Sequence, residues 1–153
     1  PPEVDLKAEV ALGNVVRALS AADGPDGRPL VRAAHDLSNG GLVQSLVDSA
    51  LRFGIGGVFD VAGAARRDCV GDHEMLLSES QARAFVAVPE AAVKAVFAAA
   101  EAEGVDAVRI GTTGGDMLAI SGVDLLAAEG EGCGWIASID ELRELNDTGR
   151  SYF

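Results

Sequence analysis

Basic residues are scarce in this chain: twelve Lys and Arg stand against twenty-four Asp and Glu, a formal charge of −12. A surface of that sign repels phosphate backbones and anionic bilayers, which disfavours nucleic acid and a membrane as partners. An anionic small ligand stays within reach, because a helix N-terminus or one local arginine outweighs a distant net charge. Cysteine is nearly absent. Cys69 and Cys133 stand in no CxxC pair and near no pair of histidines, so neither a zinc site nor a disulfide framework is expected. They read as two unreactive thiols in a reducing compartment. Aromatics make up only 5% of the residues, so the interior must be packed from small aliphatic side chains. No apolar run approaches the about eighteen residues of a membrane span. The opening Pro1-Pro2-Glu3-Val4-Asp5 lacks the basic-then-apolar order of a secretory signal. The chain is therefore expected to be cytoplasmic. Its first residue is not methionine, which reads as a piece cut from something longer.

What is present is enough for one sizeable core: 153 residues, 48% of them hydrophobic. Val4, Leu6, Val10, Leu12, Val15, Val16 and Leu19 recur at three- and four-residue steps, which predicts an amphipathic helix from Asp5 to Ala22. The polar stretch Asp23 to Pro29 then breaks regular structure. Leu30 to Ala34 reads as a strand, His35 to Gly41 as a turn, and Leu42 to Leu51 as a helix. Gly57 to Ala62 and Ala82 to Val88 read as further strands, with Ala64 to His73 irregular or briefly helical between them. Pro89 opens a helix over Glu90 to Glu103 that Gly104 ends. Val105 to Gly111 and Met117 to Ile120 read as strands, Val123 to Leu126 as a short extension, and Ile139 to Leu145 as a last helix. The glycine turn between the last two strands predicts that they pair antiparallel, which excludes a wholly parallel sheet. The expected class is α+β: a mixed sheet packed with helices, in α/β/α layers with partial ferredoxin-like topology. A single domain is expected over residues 1–153, with an entry helix and loop at 1–29, a core at 30–130 and a tail with helix at 131–153.

Chemistry concentrates in His35-Asp36-Leu37-Ser38-Asn39-Gly40-Gly41, which sets polar side chains and two glycines between a strand and a helix. Asp36 can hold a magnesium ion and Ser38 can donate to a phosphate. Gly40 and Gly41 let backbone N–H groups approach a ligand at the helix start. The plainer alternative has Asp36 or Ser38 capping the helix and the glycines making the turn, and local physics alone favours it. His35 can act as a general acid or base. No nucleophile is visible for it to serve, so a hydrogen-bonded structural role is the better reading. Thr112-Thr113-Gly114-Gly115-Asp116 can cradle an anion or simply turn the chain. Glu79 and Arg83 flank a strand as either a site or a supporting ion pair, and Arg66-Arg67 reads as a solvated charge pair.

Three of these segments, in order, resemble the ATP-binding C-terminal module of the aminoimidazole ribonucleotide synthetase superfamily. Ala34-His35-Asp36-Leu37-Ser38-Asn39-Gly40-Gly41-Leu42 is similar to the AHD-x-S-DGG-L run of its phosphoribosylformylglycinamidine synthases. Leu76-Leu77-Ser78-Glu79-Ser80-Gln81 resembles their LLFSESQ, and Ile110 to Ile120 their I-G-x-x-GG-D-x-L-x-I segment. Pro1-Pro2-Glu3-Val4-Asp5-Leu6 resembles the junction that leads into the last domain. The resemblance covers nearly the whole chain and thins after Gly130. Asn39 stands where that family has aspartate, which weakens any metal role at position 39, and the tail Asp147 to Phe153 also departs. The resemblance implies a ligase of purine biosynthesis in which formylglycinamide ribonucleotide, ATP and glutamine-derived ammonia give the amidine, ADP and phosphate. It further implies Asp36 as a magnesium ligand, Ser38, Gly40 and Gly41 as nucleotide contacts, and His35 and Glu79 as supporting residues. The partners implied are the remaining domains of the same enzyme, a glutaminase subunit and a small accessory subunit. The isolated piece is expected to be inactive. A stand-alone interaction or dimerisation module, or the matching domain of another ATP-dependent superfamily member, is the alternative.

Overall fold

The computed structural model describes residues 4–68, 70–122 and 134–150. The fold is mixed α/β, with helices packed on small sheets, and the chain forms two compact units. The first comprises Pro1–Ser38 with Glu79–Val108, the second Asn39–Ser78 with Arg109–Phe153.

In the first unit, Asp5 caps helix α1 (Leu6–Ser20), its carboxylate accepting the Lys7 and Ala8 N–H groups at 2.9 and 3.1 Å. Only the C-terminal part of the apolar stripe read from the sequence is buried, through Val15 and Leu19, which cluster with Leu30 and Ala92, while Val4, Leu6 and Val10 are exposed. Asn14 also bonds Glu103 at 3.0 Å, tying α1 to the end of α5 (Val93–Ala102). A 3₁₀ turn at Glu90–Ala92 follows Pro89 and leads into α5, and Gly104 follows its C-cap in the left-handed region, as expected of a terminating glycine. Strands β1 (Ala33–Asp36) and β3 (Ala84–Ala87) form a two-stranded antiparallel ladder in which His35 faces Phe85 and Asp36 faces Ala84.

The first strand thus begins three residues later than its apolar run predicts. Leu30 is buried in the α1–α5 core rather than laddered, and the ladder takes up His35 and Asp36 instead.

The second unit holds α2 (Gly41–Phe53), β2 (Gly57–Asp60), α3 (Ala62–Asp68), α4 (Asp72–Leu77), β4 (Gly111–Thr113), β5 (Met117–Ser121), β6 (Gly134–Ser138) and α6 (Ile139–Arg150). Its four strands run in the order β4-β2-β5-β6, with β2 and β5 parallel and the outer pairs antiparallel. Period-two burial gives the sheet a packed face of Phe59, Leu118, Ile120 and Ala137, while Val58 and Ile136 point the other way and are exposed. Helix α2 packs against α4 and α6.

Two sequence expectations are corrected here. The strands on either side of Gly114-Gly115 do not pair with each other; β2 lies between them. The glycine turn straddles the start of β2, with the Gly56 N–H donating to the Gly115 carbonyl at 2.8 Å and the Gly114 N–H to the Gly56 carbonyl at 2.9 Å. Close approach on both sides is possible because Gly56 and Gly111 have no side chain: a Cβ at Gly56 would run into the Met117 backbone, and one at Gly111 into the Val58 carbonyl. Strand β4 forms at Gly111–Thr113 and not along the run 105–110, which carries no strand. Of the two readings of Ala64 to His73, irregular or briefly helical, the helical one holds, as α3 and the start of α4, and β6 is a strand the sequence pattern did not mark. The extension at Val123 to Leu126 lies outside the described residues.

Candidate functional site

Antiparallel pairing decides what the first unit brings together. The C-terminal end of β1 lies beside the N-terminal start of β3, and the ladder is prolonged by the Leu37 N–H donating to the Arg83 carbonyl at 3.1 Å. The chain leaving β1 through Ser38 and the chain entering β3 from Glu79 therefore meet at one end of one ladder. Two segments some forty positions apart in sequence, the histidine–aspartate–serine run and the Ser-Glu-Ser-Gln run, emerge side by side.

Within that end, Asp36 closes β1 with its carboxylate 72% exposed. Ser38 and Glu79 are exposed as well. His35 is on the other face of the strand. Its Nδ1 lies 2.6 Å from the Asp36 backbone carbonyl and 3.4 Å from the Asp36 Oδ1, and its ring stacks on Phe85. A ring nitrogen that close to a carbonyl oxygen must carry the proton, so Nδ1 donates.

Gly40 and Gly41 belong to the second unit, where they open α2 with φ of 75° and 66°. The cap position of α2 is Gly40 itself, so neither Asp36 nor Ser38 occupies it. Gly41 is buried, and its carbonyl accepts the Ser45 hydroxyl at 2.9 Å. A Cβ on Gly41 would sit 2.7 Å from the Leu76 carbonyl oxygen and from the Leu77 carbonyl carbon. The residue is thus glycine for two reasons, its left-handed backbone and the α4 backbone pressed against it.

The remaining candidates settle into structural roles. In the Thr112–Asp116 turn, the Gly114 N–H and the Gly115 and Asp116 carbonyls are bonded to Gly56 and Ile139, so the turn is part of the sheet. Arg67 is paired with its neighbour Asp68 at 2.5 and 2.8 Å on the surface of α3. Cys69 and Cys133 lie outside the described residues. Among the described residues no three His, Cys, Asp or Glu side chains are grouped to hold a metal ion. A single exposed carboxylate such as Asp36 fits magnesium that arrives on a phosphate ligand, since that ion keeps several waters and needs only one or two protein oxygens. No described helix is long and apolar enough to cross a membrane.

One residue of this end carries no sequence signal. Glu9, in the first turn of α1, accepts the Ala82 N–H at 2.7 Å, a contact across 73 positions.

Comparison with known proteins returns one consistent family. The profile described as "AIR synthase related protein, C-terminal domain" matches residues 1–121. The chain is 43% identical over 122 residues to a phosphoribosylformylglycinamidine synthase subunit PurL of Bradyrhizobium sp., covering 80% of this chain and 15% of that one. The PurL subunit of Nocardioides sp. is 41% identical over the same length, with 80% and 14% covered. That of Renibacterium salmoninarum is 38% identical over 147 residues, with 96% and 17% covered. The chain thus spans about one-seventh of the length of these curated relatives. Among solved structures, PurL of T. maritima complexed with ATP has a TM-score of 0.58 at 16% identity, covering 74% of this chain and 19% of that one, a likeness of fold.

Proposed function

The chain belongs to the family of AIR synthase related protein C-terminal domains, and from that membership we propose that it is the last domain of a phosphoribosylformylglycinamidine synthase. That enzyme joins glutamine-derived ammonia to formylglycinamide ribonucleotide at the expense of ATP, in purine biosynthesis in the cytoplasm. Its partners are the other domains of the same polypeptide, a glutaminase subunit and a small accessory subunit. The isolated piece is inactive, because it supplies one wall of a nucleotide site whose other walls lie on the rest of the enzyme.

In this reading Asp36 holds the magnesium ion and the Ser38 hydroxyl donates to a phosphate oxygen. In the second unit, the backbone at Gly40 and Gly41, at the start of α2, is a nucleotide contact. His35 fixes the carbonyl of Asp36, and Glu79 supports the same end of the ladder. Bound magnesium neutralises charge on the phosphate oxygens. The observation that carries the reading is the meeting of the Asp36–Ser38 and Glu79 segments at one end of the β1–β3 ladder. Support also comes from the identity to PurL subunits over 80% of the chain.

The test is an assay of formylglycinamidine ribonucleotide formation from ATP, magnesium, ammonia and formylglycinamide ribonucleotide. The complete polypeptide is expected to turn over and the isolated chain is not. Robust turnover by the isolated chain, or none by the complete polypeptide, contradicts the proposal.

A further inference from the structure

We propose that Glu9 is a positioning residue for the nucleotide-contact end of the first unit, acting by holding Ala82 in a left-handed backbone conformation. The proposal rests on the nucleotide reading given above and adds a residue to it.

Ala82 has a φ of 57° and is the only non-glycine with positive φ among the described residues. Alanine has no polar side chain with which to stabilise that region locally, so its surroundings must impose it. Two hydrogen bonds flank it. The Glu9 carboxylate takes the Ala82 N–H at 2.7 Å, in a partly buried setting, and the Leu37 N–H takes the next carbonyl, that of Arg83, at 3.1 Å. A hydrogen bond to a carboxylate is stronger than one to a neutral acceptor. Glu9 is itself held, being in the first turn of a helix whose cap is Asp5, with its own N–H bonded to the Asp5 carbonyl at 3.1 Å. The left-handed residue sets the direction in which residues 79–81 enter the ladder beside Asp36. One helix-borne carboxylate therefore determines how the Glu79 segment is presented.

The complete polypeptide is compared with E9A, E9Q, E9D, the double variant E9A/A82G, and D36A. Amide exchange is read over residues 79–84, and magnesium-ADP affinity by calorimetry. E9A is expected to speed exchange over 79–84 and to weaken magnesium-ADP about tenfold, the scale of one lost hydrogen bond to a charged group. E9Q, which keeps an acceptor oxygen, is expected to stay close to the parent. E9A/A82G is expected to recover most of the affinity, because glycine enters positive φ without strain. That rescue distinguishes positioning from general support of α1. Faster exchange in E9A with unchanged affinity, in a protein where D36A loses affinity, overturns the proposal and leaves the nucleotide reading standing. No effect of either E9A or D36A on affinity overturns both. Should E9A fail to fold, E9D retracts the same oxygen by one methylene; an affinity and exchange equal to the parent's overturns the proposal.

Discussion

His35 lies flat against Phe85 across the β1–β3 ladder, ring centroids 5.9 Å apart and planes 19° apart, while its Nδ1 donates to the Asp36 carbonyl. The imidazole is thereby engaged in packing and in a backbone bond. His35→Ala is expected to destabilise the chain by about 0.5–1.5 kcal/mol through loss of the stack. His35→Phe is expected to keep most of that contribution. Urea unfolding of the two variants checks both values, and an unstable His35→Phe beside a stable His35→Ala would contradict the account.

Three glycines separate backbone freedom from space. Gly13 lies in α1 with nothing near its missing Cβ, so Gly13→Ala is expected to stabilise by about 0.5–1 kcal/mol. Gly115 has open space but a φ of 69°, and Gly115→Ala is expected to cost about 1–2 kcal/mol. Gly41→Ala meets both the left-handed backbone and the Leu76–Leu77 main chain, and its cost is expected to exceed that of Gly115→Ala. Thermal melts of the three variants should rank them in that order.

The start of α6 supplies a pH dependence with a definite sign. The Ser138 N–H and hydroxyl both donate to the Glu141 carboxylate at 2.8 Å, and the Glu141 N–H returns to the Ser138 oxygen at 3.2 Å. Those bonds, the backbone one foremost, hold the Glu141 carboxyl below its ordinary value. A carboxyl lowered on folding contributes stability that is fully present above its unfolded value and is lost as pH falls through the folded value. The Arg32 guanidinium lowers Asp26 in the same direction, first through its hydrogen bond at 2.5 Å. Glu141→Gln is expected to lower stability on the neutral side of the stability–pH curve, to leave the acid end little changed, and so to flatten the descent between them. A curve as steep as the parent's at acid pH would contradict this.

The two faces of the four-stranded sheet should respond differently to truncation. Leu118 and Ile120 are each only 1% exposed, whereas Ile136 is 63% exposed on the opposite face. Leu118→Ala is expected to cost about 2–5 kcal/mol. Ile136→Ala is expected to fall within about 0.5 kcal/mol, as surface changes do. Equal costs from chemical denaturation would mean that the sheet faces are misassigned.

Much of this architecture is written locally. The stripe from Leu6 to Leu19, the Asp5 cap and the Pro89 to Gly104 helix are legible because each depends on neighbours within a few residues. The Ser138-x-x-Glu141 box is equally local and could have been read as the start of α6. What escapes is what depends on distant partners. The Leu30-Val31 run looks like a strand but packs in the α1–α5 core, which moves β1 onto His35 and Asp36. The Gly114-Gly115 turn looks like a hairpin, yet β2 comes between its strands because Gly56 and Gly111 leave room for it. The same division holds at the candidate site: the Asp36–Gly41 run stands out by composition, while Glu9 matters only through a contact with Ala82 that no spacing reveals.

The proposal most open to direct test is that the end of the β1–β3 ladder bearing Asp36 contacts a magnesium nucleotide in the longer enzyme. Calorimetric titration of the complete polypeptide with ADP, with and without magnesium, tests it when the parent is compared with Asp36→Asn. The substitution is expected to remove the magnesium dependence of one binding event while the fold, judged by its melting curve, persists. Identical magnesium-dependent binding in the two proteins would contradict it.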